Sequence, residues 1–262
     1  MGSSTRNVVD RAAVRERLDT VHDPELDRSI VDLEYVDEIR IERAGSEDAP
    51  VDGVRVDVAF VLPTAWCSPA FAWMMATGIR DEVGALAGVR DVRVDLLDHM
   101  HDEEINRGVN EELAFEHVFE DAEDGIAEVR QKLDRKARLA RQYRAVETLL
   151  DAGLEPAQIT ALTSGDVERV DERVVIYLRD QTVGVTVPAD PIAGYLEKAR
   201  DLGIVTGGED QLFRDLDGEP ISPAAFEEVH RETRLAKSNM SGQAGICAQL
   251  HEARNGVEVG GD

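Results

Sequence analysis

The chain has 262 residues, of which 54 are acidic and 29 basic, for a formal charge of -25, with 42% hydrophobic and 5% aromatic residues. That balance argues against a nucleic-acid backbone or an anionic membrane surface as the main partner, leaves room for a basic partner protein, and allows one large core or two small ones built mostly from Val, Leu, Ile and Ala. Cys67 and Cys247 are too distant to suggest a disulfide framework, no apolar run approaches membrane-spanning length, and Met1–Arg6 lacks an apolar signal segment, so a cytoplasmic setting is expected.

Residues 8–20 read as an opening helix with Val8, Val9, Ala12, Ala13 and Leu18 on its apolar stripe. It ends before Asp23-Pro24-Glu25, where Pro24 either biases Asp23 out of the helical region or opens a short helical turn capped by Asp23. Ile30–Leu33 leads into a strand over Tyr35–Ile41, and the polar run Arg43–Gly53 reads as a hairpin loop. Val54, Val56 and Val58 alternate with charged residues, which predicts a half-buried strand continuing to Leu62. Pro63 stops it. A helix over Ser68–Leu86 follows, with Pro69 in its first turn, then a third strand from Val89 to Leu97. Helix, strand, strand, helix, strand gives a small α/β layer, with a parallel crossover between the second and third strands.

This order puts the loop Pro63-Thr64-Ala65-Trp66-Cys67-Ser68 at the C-terminal end of the second strand. Leu97-Asp98-His99 ends the third strand at the same edge, and the Asp23–Glu25 turn is within reach. Cys67 is therefore a candidate reactive or metal-binding thiol. A helix N-terminus beside it favours the thiolate. The bland alternatives are a buried small hydrophobe at Cys67 and a cap and solvated acid at Asp23 and Glu25.

The region from about Val8 to Asn110 resembles the SufT/PaaD family of iron–sulfur assembly domains, which includes the eukaryotic cytosolic iron–sulfur targeting subunit. The likeness rests on Asp23-Pro24-Glu25, on Ile30-Val31-Asp32-Leu33 and on the Thr64–Cys67 loop. Glu34 stands where the family usually has glycine. His101, Glu104, Asn106 and Asn110 are candidates for the eukaryotic branch's His–acid–Asn segment. The resemblance implies maturation or delivery of a metallocofactor rather than turnover of a metabolite. Cys67 would be the functional thiol, supported by Asp23, Glu25 and Thr64. Metal contacts would come from Cys67, Asp23, Glu25, His99 and His101.

The cargo would be iron or a transient iron–sulfur cluster, and mixed ligands of this kind also suit zinc. One thiolate cannot fill a cluster's coordination, so a second subunit, a client, or a single-ion cargo is implied. The partner would be a client metalloenzyme. Because the family includes a phenylacetate-oxidation accessory protein, a di-iron monooxygenase component is a rival client. The alternative function is a chaperone or accessory subunit that binds no metal itself.

Beyond this domain, residues 103–121 read as helical and Asp121–Gly125 as a break. Ile126–Leu150 is an amphipathic helix with a face rich in Arg and Lys, either packed on its own domain or free as an arm for dimerisation or client docking. Short strands at Val167–Val170, Val174–Leu178 and Val183–Val187 and a helix at Pro191–Leu202 make a second α+β unit without a nucleotide fingerprint. Asp171-Glu172 and Asp180-Gln181 fit its turns, and Asp190 its helix cap. The glycine-rich Ser238–Cys247 reads as a loop for a partner surface. If it is helical instead, Cys247 and His251 share a face and form a weaker candidate metal pair.

The fold class expected is α+β. Its parts are an assembly domain over 8–102, a helical linker over 103–152, a small α+β domain over 154–225, and a C-terminal helix, glycine-rich segment and frayed tail over 226–262. A homo-oligomer is expected, with no nucleic acid and no membrane bound.

Overall fold

The computed structural model describes residues 9–46, 49–120, 125–178 and 182–257. The Met1–Arg6 start, most of the Asp121–Gly125 break, the Asp180-Gln181 turn and the last residues of the tail lie outside them. The chain is mixed α and β and divides into two compact units, one of residues 1–130 with 243–262 and one of residues 131–242.

In the first unit, helix α1 (Arg11–Leu18) is capped by Asp10, whose carboxylate accepts from the Ala13 N–H at 2.8 Å. It buries Val14 and Leu18, four residues apart, while Ala12 of the expected stripe faces solvent. The acidic-proline turn is neither a helix end nor a helix start. Asp23 and Arg28 belong to a small antiparallel ribbon, β1 (His22–Asp23) with β2 (Arg28–Ser29). Strands β3 (Val36–Ser46) and β4 (Ala49–Val61) pair antiparallel, so pairing runs well into the expected loop. β4 pairs parallel with β5 (Val89–Leu97), and helix α2 (Pro69–Gly84) makes the crossover between them. Val56, Val58 and Phe60 of β4 and Val94 and Leu96 of β5 point into the core with Trp73, Met75 and Ile79 of α2.

Helix α3 (Asp102–Asn110) closes the free edge of β5 by an unusual device. Asn106 and Asn110, one turn apart, each use both ends of the amide. Asn106 accepts from Leu96 N–H at 2.7 Å and donates to Leu96 C=O at 3.0 Å. Asn110 does the same to Val94 at 2.9 and 2.8 Å. Two side chains thus replace a neighbouring strand and blunt the edge. Gly108, between them, lets α3 approach α2: a methyl group there would lie 2.4 Å from Trp73 Cη2.

Helices α4 (Phe115–Val118) and α5 (Ile126–Asp151) follow, and the boundary at 130 falls within α5. The second unit continues through α6 (Pro156–Ala161) to an antiparallel meander of β6 (Val167–Val170), β7 (Arg173–Leu178) and β8 (Val183–Pro188). Its core gathers Leu149, Ile159, Ile176, Ile192, Tyr195 and Phe213. Helix α7 (Ala189–Asp201) starts two residues earlier than expected, so Asp190 lies in its first turn rather than at its cap.

Arg138, one of the α5 cations that amphipathic patterning predicts on a solvated basic face, is 1% exposed. Its guanidinium donates to the Asp215 and Leu216 carbonyls at 2.7 and 3.3 Å, and Gln142 donates to the Arg214 carbonyl at 2.7 Å. A planar donor fork can be buried when backbone carbonyls meet it.

The glycine-rich segment also departs from expectation. It is not a loop but part of helix α8 (Phe226–Val257). Gly242 and Gly245 cost roughly 1 kcal/mol each against alanine, a deficit that a long run of helix-forming neighbours can absorb. The boundary at 242 falls within α8, and residues 243–257 belong with the first unit. Among the described residues no helix is long and apolar enough to cross a membrane.

Candidate functional site

The C-terminal ends of β4 and β5 carry the Cys67 loop and the Asp98–Met100 segment. The loop is folded by its own short turns: Thr64 Oγ1 accepts from Trp66 N–H at 3.2 Å, and Cys67 N–H donates to the Thr64 carbonyl at 3.3 Å. It is then tied to the β5 end. Met100 N–H donates to the Ala65 carbonyl at 3.0 Å, and His99 Nε2 bonds the Cys67 carbonyl at 2.9 Å. His99 Nδ1 accepts from His101 N–H at 3.1 Å, which fixes Nε2 as the protonated nitrogen. Burial holds the His99 pKa below the usual imidazole range. Both ring nitrogens are thus engaged, Nε2 by the Cys67 loop and Nδ1 by the backbone just after β5. His101 turns the other way, with its ring 5.5 Å from Phe119.

Asp23 is 7% exposed and accepts from the Glu25 and Leu26 N–H groups at 2.8 and 3.1 Å. Behind it the buried Tyr35 hydroxyl lies 3.4 Å from Asp23 Oδ2. Burial raises the Asp23 pKa against the pull of the two N–H donors, and burial followed by the Asp23 charge raises that of Tyr35.

The Cys67 thiol, half-buried, is pushed up to about 11, first by burial and then by Asp23, Cys247 and Glu25. This reverses the thiolate expected from a helix N-terminus. Pro69 opens α2 and has no N–H to offer. The backbone bond to Thr64 favours the thiolate, and burial outweighs it.

The structure therefore brings Cys67, Asp23, Glu25 and Tyr35 together and ties His99 to the backbone of the Cys67 loop. From the far end of the chain it adds a stripe of α8. Gln243 donates to Glu25 Oε1 at 2.6 Å, and the His251 ring lies 6.1 Å from that of Tyr35. Arg254 donates to the Leu62 carbonyl at 2.6 Å and pairs with Asp98 at 2.5 Å. Cys247 lies between Gln243 and His251, and its pKa is raised by burial, Asp23 and Glu25.

Tyr35, Gln243 and Arg254 did not stand out in the sequence. The spacing of Gln243, Cys247, His251 and Arg254, which fits one helical face, was the signal available. Glu34, where glycine is usual, has φ 58°. The position demands the left-handed region that glycine enters freely.

Trp66 of the loop is 76% exposed, and Met100, bonded to the loop, is 50% exposed. An open groove of about 610 Å³ runs nearby, lined by Ser68, Pro69, His101, Glu104, Phe115 and Phe119 among others. Among the described residues no group of three or more His, Cys, Asp or Glu side chains is arranged to hold a metal ion. With His99 saturated and Asp23 committed to its turn, the donor set does not fit a resident tetrahedral centre, and nothing in it selects zinc.

Residues 11–96 match the family model described as iron–sulfur cluster assembly protein. The chain carries an iron–sulfur cluster assembly domain. The match begins at α1 and ends one residue before the end of β5, so it contains the acidic turn, Tyr35 and the Cys67 loop. Nothing similar was found among curated proteins or solved structures. The assembly domain supports a role in cluster maturation or delivery, with a client metalloprotein as partner.

Proposed function

We propose that this chain passes iron or an iron–sulfur cluster to a client metalloprotein through the thiol of Cys67. The observation that carries this reading is the assembly-domain match over residues 11–96, with Cys67 held at the strand ends beside Asp23 and Glu25. An incomplete donor set suits a cargo that must leave, because full ligation would trap it. The proton on Cys67 is displaced when a cation arrives among acids, so loading is coupled to proton release. Asp23 and Tyr35 position the acidic turn. Trp66 and Met100 offer the client an apolar contact beside the thiol.

The test is a Cys67→Ser chain in a deletion background, with the metal content of the client measured. Serine keeps the loop and removes the sulfur, so the client should emerge metal-poor while the variant folds normally. A fully loaded client refutes the reading.

A second reading is a client-specific chaperone that binds no metal, for instance for a di-iron monooxygenase component. The exposed Trp66 and Met100 beside the open groove favour it. Under it, Trp66→Ala weakens client capture under metal-free conditions, and Cys67→Ser leaves client loading intact. Affinity purification from the native host, with metal analysis of bait and partners, separates the two.

A further inference from the structure

The far end of the chain returns to the Cys67 site. Within Gln243–Arg254, the half-buried positions are Gln243, Ala244, Cys247, His251 and Arg254, and the rest are exposed. These five fall on one helical face. Three of them have partners around the site: Glu25, Tyr35, and the Leu62 and Asp98 positions at the ends of β4 and β5.

Cys247 lies one turn from Gln243 and one turn from His251, so its thiol faces the same acidic turn as Cys67. The helix turns this largely polar stripe inward and leaves Ile246 61% and Leu250 41% exposed. A helix oriented by apolar burial alone would be rotated toward Ile246 and Leu250, which flank this stripe. The contact is specific to the site and is not core packing.

We propose that Cys247 is the second thiol of the site, and that Cys67 and Cys247 together hold a thiophilic divalent cation cargo. The proposal rests on the delivery reading and deepens it. One chain then supplies two sulfurs from segments 180 residues apart in sequence, and the remaining coordination positions are left to sulfide and the client. Gln243 and Arg254 clamp the helix that brings the second sulfur. On loading, each thiol loses its proton to solvent as its sulfur bonds the cation, and no electron is transferred.

The test uses the full reduced chain and cobalt(II) alone as probe, without oxygen. Thiolate-to-cobalt absorption in the near ultraviolet reports sulfur ligands directly. One ion per chain is expected, with Cys67→Ser and Cys247→Ser each lowering the absorbance by about half or more. Full absorbance in the Cys247 variant overturns the proposal, as does a wild-type chain with no absorbance.

Dibromobimane checks the pairing without metal. It becomes fluorescent when two thiols displace its two bromides, forming two carbon–sulfur bonds and releasing two protons. Fluorescence in the monomer band of wild type, lost in both single variants, is expected. A dark monomer overturns the proposal.

The two readings fail separately. A client that loads normally with Cys67→Ser defeats delivery and leaves a measured thiol pair standing. A client starved by Cys67→Ser, with cobalt absorbance indifferent to Cys247, defeats the pair and leaves delivery standing.

Discussion

Each unit buries a polar constellation, and the two are built to opposite ends. In the second unit Arg138 and Gln142 meet the carbonyls of Arg214, Asp215 and Leu216, donor against acceptor. Such matching makes structure, since the charge is spread over dipoles that cannot leave. In the first unit Asp23, Glu25, Tyr35, Cys67 and Cys247 are all acids, and each of Asp23, Tyr35, Cys67 and Cys247 has its pKa raised. Burial of these like groups disfavours their charged forms and leaves an environment that a cation would relieve. Burial alone does not mark a functional group; the sign of its neighbours does.

The comparison breaks most visibly at Arg138. Arg138→Leu strips the guanidinium donor from the Asp215 and Leu216 carbonyls, while Gln142 keeps its bond to Arg214, and should cost about 3 kcal/mol in urea unfolding. A loss well below 1 kcal/mol would mean that water replaces the guanidinium and that the second constellation is not structural.

The thiol gives the next effect. In a Cys247→Ser background, alkylation of Cys67 by iodoacetamide at pH 9 should run about 50-fold slower than that of an exposed thiol, and should keep rising toward pH 11. The sign for stability follows from a raised folded-state pKa: the contribution is full below about pH 9 and is lost as pH climbs through about 11. His99, with its pKa lowered, runs the other way, and its contribution is lost as pH falls below the ordinary imidazole range. A rate that levels off by pH 9 would return Cys67 to an ordinary thiol.

Gly108→Ala tests whether close packing of α3 on α2 supports the site side. The added methyl strikes Trp73, and thermal or urea unfolding should show a loss of about 2 kcal/mol despite the better helix propensity of alanine.

The smallest effect belongs to Glu34→Gly. Relief of the left-handed backbone is opposed by the greater freedom of glycine in the unfolded chain, so stability should rise by less than about 1 kcal/mol. A clear loss would show that the Glu34 side chain, 3.9 Å from His251, contributes more than its backbone costs.

Much of this was legible along the chain. Alternation in Val54–Val58 marked β4, and the three strands of the second unit stood out as short β-branched runs between turn residues. The Cys67 loop was readable from its place between strand and helix. Arg138 was not, because a charged residue on an amphipathic helix reads as solvent-facing unless backbone acceptors from distant residues are known. The α8 stripe was hidden for a related reason: its glycines suggested a loop, and its polar residues suggested exposure.

The sequence by itself determined the local elements, the parallel crossover and one thiol at the strand ends, because periodicity and turn chemistry act over neighbouring residues. Only the tertiary structure decided that Asn106 and Asn110 complete the sheet edge, that the Cys67 thiol keeps its proton, and that Cys247 returns to the acidic turn. Each of these depends on which groups burial brings together, and desolvation and hydrogen bonding act through space across separations that no local pattern encodes.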